Sequence, residues 1–233
     1  MSSWPDELVD FNPKNWLKQY RKTSVVYLLK MAFFYHVVGL GLMYGGSALA
    51  NEIIDDYEVP FFPVSLASAI TAGPIEEIFF FGLPYYLSGN LYYLLGTGVF
   101  WSVLHIFNTE TFDIANLTYG GFLFTVPHLF FSIRTWISKK GWFAIAFHSA
   151  WNVSVLFSFC FAGLRECVVF NSGEKLYLDL LLIPVAVLLI IIMYLIHLRS
   201  QGKNYHKRFL VGIIIVFIAV EIPFIILNFE KLF

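Results

Sequence analysis

Long apolar segments, separated by short polar or turn-forming breaks, dominate the pattern of residues along this chain. Segments without a charged residue occupy the ranges 31–51, 59–75, 78–109, 141–164 and 180–198. About 18 consecutive apolar residues are enough for a helix to cross a membrane. The breaks predict seven spans, at about 25–49, 61–87, 91–107, 117–134, 141–163, 176–198 and 209–229. The predicted fold class is therefore all-α, a polytopic transmembrane helical bundle of about seven spans.

Composition supports a membrane protein rather than a soluble one. Hydrophobic residues make up 58% of the chain and charged residues only 13%, whereas a soluble domain carries about 25% charged residues. Residues 1–24 are polar and lack the apolar core of a signal peptide. We expect them to form an N-terminal interfacial segment, anchored by Trp4, Phe11 and Trp16. Residues 25–233 are expected to form a single transmembrane domain.

The basic residues are distributed unequally between the two sides of this layout. Eleven of the fifteen fall on the side of the N-terminus: Lys14, Lys18, Arg21, Lys22, Arg134, Lys139, Lys140, Arg199, Lys203, Lys207 and Arg208. Because cytoplasmic loops are enriched in Lys and Arg, the N-terminus is predicted to be cytoplasmic. We expect a multi-pass protein of a cell membrane, with the endoplasmic reticulum membrane as the alternative. The net charge of −1 gives no sign of a nucleic-acid partner.

The chain contains only two cysteines, Cys160 and Cys167. They do not form a CxxC pattern, and no paired histidine tract accompanies them. The sequence therefore predicts neither a disulfide framework nor a structural zinc site.

Ionisable residues inside the predicted spans are the main candidates for function, because placing one at mid-membrane costs about 2.5–3.5 kcal/mol. The polar candidates are His36, Glu76, Glu77, His105, His128, His148, Asn152 and Glu221. Lone histidines such as His36 and His128 are more often hydrogen-bonded packing residues than catalytic groups. Glu221, two residues before Pro223, is more readily explained as a structural glutamate on a kinked helix or as a lipid-interface residue.

The stretch GPIEEIFFFG, residues 73–82, places Glu76 and Glu77 side by side in apolar surroundings. Two adjacent carboxyls away from water do not both ionise readily, so at least one is a candidate proton carrier. If a turn at SGN joins the second and third spans, Glu76 and His105 both lie about 20–24 Å along their helices from it. In HSAWN, His148 and Asn152 are four residues apart and share one helix face. We expect these polar groups to meet in one intramembrane cavity.

Such a set fits peptide-bond hydrolysis. A carboxylate and a histidine can hold and deprotonate a water molecule, and the carboxyl can return the proton to the leaving amine. A second histidine and an asparagine amide can donate hydrogen bonds to the developing oxyanion. The sequence contains neither a serine elbow nor a Cys/His pairing, so it does not indicate a covalent nucleophile.

Three motifs, EEIFFFG, WSVLH and HSAWN, occur in this order along the chain. They resemble the EExxxR, FxxxH and HxxxN motifs of the CPBP family of intramembrane proteases, over about residues 70–160. That family includes the CAAX prenyl endopeptidases and the bacterial Abi and bacteriocin-processing proteins. The resemblance implies a peptidase that acts on a lipidated or otherwise membrane-bound peptide within the lipid bilayer.

The resemblance also implies a role for each matching residue. Glu76 and His105 would activate the water, His148 and Asn152 would form the oxyanion pocket, and Glu77 would be an accessory glutamate. It implies that no metal is needed, whereas the residue types alone leave open a zinc ion held by Glu76, His105 and His148.

This chain departs from the family motifs at two positions. Phe81 stands where the family has arginine, and Trp101 stands where it has phenylalanine. Without the arginine, a protonated, structural Glu77 becomes more plausible. Two other functions therefore stay open. One is an inactive immunity or binding scaffold of the same fold, and the other is a proton-coupled carrier, for which the sequence lacks inverted repeats.

Overall fold

The computed structural model describes residues 15, 20–21, 23–53, 65–107, 122–161, 163, 166–173 and 176–200. Within these ranges the regular structure is entirely helical. The helices are α1 (Val25–Ile53), α2 (Leu66–Ser88), α3 (Leu91–Leu104), α4 (Phe122–Ile137), α5 (Gly141–Phe161) and α6 (Leu176–Ser200). A short 3₁₀ turn, His105–Phe107, extends α3. The predicted all-α class is confirmed.

Three of the described helices contain segments long and apolar enough to cross a membrane: Val25–Leu42, Leu66–Ser88 and Leu176–Ser200. Each of the first six predicted spans coincides with a helix, with boundaries a few residues apart. The seventh, with Glu221, lies outside the described residues, as do Trp4, Phe11 and Trp16. The chain is a helical membrane protein, whereas the count of seven spans and the cytoplasmic N-terminus stay predictions.

The helices belong to two compact units. Unit 1 comprises Met1–Phe62 and Phe80–Phe147, and unit 2 comprises Pro63–Phe79 and His148–Phe233. The division therefore falls within α2 and within α5. Among the predicted site residues, His105 belongs to unit 1, and the other four belong to unit 2.

In unit 1, α1, α4 and the first turn of α5 share an apolar core. Its buried members are Leu28, Met31, Ala32, Tyr35, Phe131, Phe143 and Ala144. Gly39 lets α1 and α4 approach, because a Cβ built there would lie 2.8 Å from the ring of Phe124. The guanidinium of Arg134 is buried over the ring of Tyr20, 4.1 Å from its centroid. This cation–π contact explains how α4 tolerates a buried cation near its end.

In unit 2, the loop 166–173 caps the start of α2. The N–H groups of Leu66 and Ala67 donate to the carbonyl oxygens of Val168 and Val169 at 3.0 and 3.1 Å. The first N–H groups of a helix have no partner within it, so these bonds satisfy donors that the helix itself cannot. Ser65 adds a side-chain cap by accepting from the N–H three residues later.

Asp179, in the first turn of α6, connects that helix to the loop and to α2. Its carboxylate is fully buried. It accepts hydrogen bonds from the Ser68 hydroxyl at 2.5 Å and from the Asn171 N–H at 2.6 Å. Asp179 was not among the polar candidates, because a polar residue at the edge of an apolar segment resembles an ordinary helix boundary.

The expectation that the two cysteines do not form a disulfide was wrong. Cys160 and Cys167 are bonded, with their Cα atoms 5.4 Å apart, a usual separation for a disulfide. α5 ends at Phe161, and Gly163 adopts a φ of 69° that favours glycine. The chain can therefore reverse direction within seven residues, which the spacing of the cysteines alone did not indicate.

Candidate active site

The two glutamates lie where α2 changes its helical geometry. α2 is α-helical up to Glu76 and π-helical over Glu77–Gly82. Pro74, just before them, has no N–H to donate to the carbonyl four residues earlier, which interrupts the α-helical ladder. Single π-helical turns occur frequently at functional sites. The irregular backbone therefore coincides with the residues that carry the candidate chemistry.

Glu76 and Glu77 flank opposite nitrogen atoms of one imidazole, that of His148. The Nδ1 atom lies 3.3 Å from Oε1 of Glu77, within hydrogen-bond distance. The Nε2 atom lies 3.8 Å from Oε2 of Glu76, too far for a direct hydrogen bond. Because consecutive helical side chains point about 100° apart, the ring of His148 fits between the two carboxylates.

The two carboxylates differ in how far the protein encloses them. The side chain of Glu77 is 0% exposed, whereas that of Glu76 is 27% exposed. His148 is itself buried, with its side chain 8% exposed. Glu77 is therefore suited to orienting the imidazole, and Glu76 is the carboxylate that is not fully enclosed by protein.

Asn152 lies one turn beyond His148 on α5. Because α5 is α-helical throughout Gly141–Phe161, the two side chains share one face of the helix. Asn152 is partly buried. Its amide is thus placed one helical turn, about 6 Å along the axis, from the imidazole.

His105 lies in unit 1, in the 3₁₀ turn that ends α3. Its Nδ1 is 2.9 Å from the carbonyl oxygen of Trp101, and the two rings make an edge contact with centroids 4.7 Å apart. A carbonyl only accepts, so Nδ1 donates this hydrogen bond. The predicted meeting of His105 with Glu76 stays a prediction.

His36 and His128, also in unit 1, form a buried hydrogen-bonded pair. His36 donates from Nδ1 to the carbonyl oxygen of Ala32 at 2.6 Å, and its Nε2 lies 3.1 Å from Nδ1 of His128. The ring of His128 also packs against Trp101. The sequence indicated packing roles for both histidines, but 92 residues separate them, and no local pattern could show the pair.

Phe81, at the position of the motif arginine, is fully buried in unit 1. Its ring contacts Trp101 edge-on with centroids 5.5 Å apart. A Cβ on Gly98 would lie 2.8 Å from the ring of Phe81, so the neighbouring helix has a glycine where the ring needs space. The arginine position is therefore occupied by a packed apolar side chain.

These features define a helical membrane protein with two carboxylates and an imidazole grouped within its apolar helices. Residues 58–154 match the family model described as type II CAAX prenyl endopeptidase, Rce1-like. The matched segment is less than half of the 233-residue chain, but it contains all five predicted site residues. It confirms the resemblance to the CAAX and CPBP intramembrane proteases. No curated protein and no solved structure matches the chain.

Proposed function

We propose that this protein is an intramembrane endopeptidase that hydrolyses a peptide bond of a lipidated, CAAX-type membrane substrate. The observation that carries the proposal is the grouping of Glu76, Glu77 and His148 in unit 2, inside the segment that matches the CAAX endopeptidase model. Carboxylate and imidazole are the side chains that most often move protons in hydrolysis. Placed among apolar helices, they would act on a bond within the membrane.

In the proposed reaction Glu76 is the general base, with His105 as its partner in holding the water. Glu76 takes one proton from the water, and the hydroxide formed adds to the carbonyl carbon of the peptide bond. The proton then passes from Glu76 to the amide nitrogen as the C–N bond breaks, so that a free amine leaves. Glu76 suits this role better than Glu77, because its carboxylate is not fully enclosed by protein.

His148 and Asn152 would stabilise the oxyanion of the tetrahedral intermediate. Each hydrogen-bond donor in such a pocket contributes about 3–4 kcal/mol to the transition state. Glu77 accepts a hydrogen bond from Nδ1 of His148 and orients the ring. Nε2 must carry a second proton to donate to the oxyanion as well, so the proposed reacting form of His148 is the imidazolium. Nε2 lies 3.8 Å from Oε2 of Glu76, so a water molecule or a substrate oxygen beside the pair could contact both atoms.

The orientation of the site follows from the predicted topology and from the disulfide. Disulfides persist in oxidising compartments outside the cytosol. Lys140 directly precedes α5, and Cys160 lies at the opposite end of that helix. The charge pattern predicts that Lys140 is cytoplasmic, so the disulfide supports a cytoplasmic N-terminus. We propose that the substrate enters from the cytoplasmic side.

The test is cleavage of a fluorogenic, prenylated peptide by the purified full-length protein in lipid nanodiscs. Glu76→Gln keeps the shape of the side chain and removes the base, so kcat should fall at least about a hundredfold. His105→Ala should have a similar effect. Glu52→Ala, which removes an exposed carboxylate near the end of α1, is the matched control and should cleave at the wild-type rate.

Wild-type rates in both Glu76→Gln and His105→Ala would contradict the mechanism. Dialysis against a chelator tests the zinc alternative, in which Glu76, His105 and His148 would be ligands. Full activity after dialysis is expected from the metal-free mechanism. Loss of activity that zinc alone restores would replace it with metal-assisted hydrolysis.

A further inference from the structure

Ser149, the residue after His148, joins α5 to the helix that carries the glutamates. Its hydroxyl donates a hydrogen bond to the carbonyl oxygen of Ile70 at 2.7 Å, across 79 residues of sequence. Both residues belong to unit 2. Ile70 lies six residues before Glu76, about 9 Å along α2. This contact is therefore close to the site along both helices.

The acceptor in this contact has an unusual position in its own helix. In an α-helix a carbonyl accepts from the N–H four residues later. Four residues after Ile70 is Pro74, which has no N–H and lies inside α2. A backbone carbonyl that lacks a donor in apolar surroundings is strongly unfavourable. The hydroxyl of Ser149 supplies the donor that Pro74 removes.

We infer that Ser149 is a positioning residue of the proposed peptidase, which holds α2 and α5 in the register that brings His148 between the two glutamates. One contact between two helices leaves them able to rotate or slide. The Ser149–Ile70 bond and the His148–Glu77 bond together give two fixed points, on consecutive residues of α5. The catalytic consequence of this inference rests on the proposed function, whereas the effect on His148 does not.

The first experiment compares Ser149→Ala with Ser149→Thr in the nanodisc cleavage assay. A misplacement of about 1 Å can reduce a rate up to a hundredfold, so Ser149→Ala should lower kcat about tenfold or more with little change in KM. The threonine variant retains the hydroxyl and should stay close to wild type. Ser154→Ala is the matched control, since that hydroxyl bonds within its own helix, to the carbonyl of Ala150.

A second substitution distinguishes two roles for Ser149: positioning α2 against α5, and merely supplying a hydrogen-bond donor to the Ile70 carbonyl. Pro74→Ala restores an N–H that can donate to Ile70 within α2. In the double variant with Ser149→Ala, the melting temperature should recover to that of Pro74→Ala, because the carbonyl again has a donor. If Ser149 positions the helices, kcat should stay about tenfold below that of Pro74→Ala. Recovery of kcat together with stability would overturn the inference.

A measurement without substrate tests the inference independently of peptidase activity. In protein labelled with ¹⁵N-histidine, the ring signals of His148 are identified by their loss in His148→Gln. Ser149→Ala should shift these signals, and Ser149→Thr should not. Unchanged signals in Ser149→Ala would overturn the inference, whereas shifted signals in a protein that cleaves nothing would leave it standing and reject only the proposed function.

Discussion

Replacement of Asp179 by alanine removes an acceptor shared by two other elements of unit 2. The buried carboxylate accepts from the Ser68 hydroxyl and from the Asn171 N–H at 2.5 and 2.6 Å. A hydrogen bond to a charged group contributes about 1.5–3 kcal/mol, and the alanine also leaves both donors without their acceptor. We expect the free energy of unfolding to fall by about 3–5 kcal/mol, close to twice the contribution of one such hydrogen bond.

Thermal unfolding in detergent micelles, followed by tryptophan fluorescence, measures this loss. A domain of 150–250 residues loses about 2–4 °C in melting temperature per kcal/mol, so Asp179→Ala should melt about 6–20 °C below wild type. Hydrogen exchange should also quicken at the amides of Leu66 and Ala67, since the loop that caps them loses its attachment to α6.

Two matched variants locate the cause of the Asp179→Ala effect. Asp179→Asn keeps an oxygen for the Asn171 N–H and an amide that can donate to Ser68, so it should lose no more than about 1–2 kcal/mol. Glu166→Ala removes an exposed carboxylate from the same loop and should change little. The reasoning fails if Asp179→Ala melts within about 2 °C of wild type, or if exchange at the start of α2 is unchanged.

Two further predictions concern packing and covalent structure. Gly98→Ala should destabilise the protein by about 1–3 kcal/mol in thermal unfolding, because the added Cβ would lie 2.8 Å from the ring of Phe81. Gly96→Ala is the control and should be neutral or stabilising, because nothing lies within 4 Å of a Cβ there. Equal effects of the two substitutions would contradict this packing. Replacing both Cys160 and Cys167 by serine should cost about 2–3 kcal/mol through a less restricted unfolded chain and speed amide exchange in residues 166–173. Unchanged stability and exchange would mean that the disulfide does not restrain the loop.

The helices could be predicted from sequence because each depends on a long, continuous apolar segment. Boundaries were harder to predict where local chemistry decides them. α2 begins at Leu66, after the Ser65 cap, rather than at residue 61, where the predicted span starts. The π-helical segment Glu77–Gly82 was not predicted, because it depends on which backbone hydrogen bonds form after Pro74 rather than on hydrophobic periodicity.

The residue types of the candidate site were predictable, but their contacts were not. Motif order and helix register identified Glu76, Glu77 and His148, yet assigned the last two to separate parts of the site. The structure places Glu77 against Nδ1 of His148, which requires a specific rotation of two helices. Asp179 and the disulfide were missed for a similar reason, because their partners lie in a loop whose path is set by tertiary packing.

With phenylalanine at the position of the motif arginine, a partner of the buried Glu77 carboxyl lies on another helix. Phe81 is fully buried against Trp101 and close to Gly98, so the space for a guanidinium on α2 is filled by an aromatic ring. His148, on α5, instead places a nitrogen 3.3 Å from Glu77. A partner on the same helix is held by the backbone, whereas a partner on another helix depends on the register between the two. The environment of Glu77 therefore depends on helix packing, which is the property that the Ser149–Ile70 bond controls.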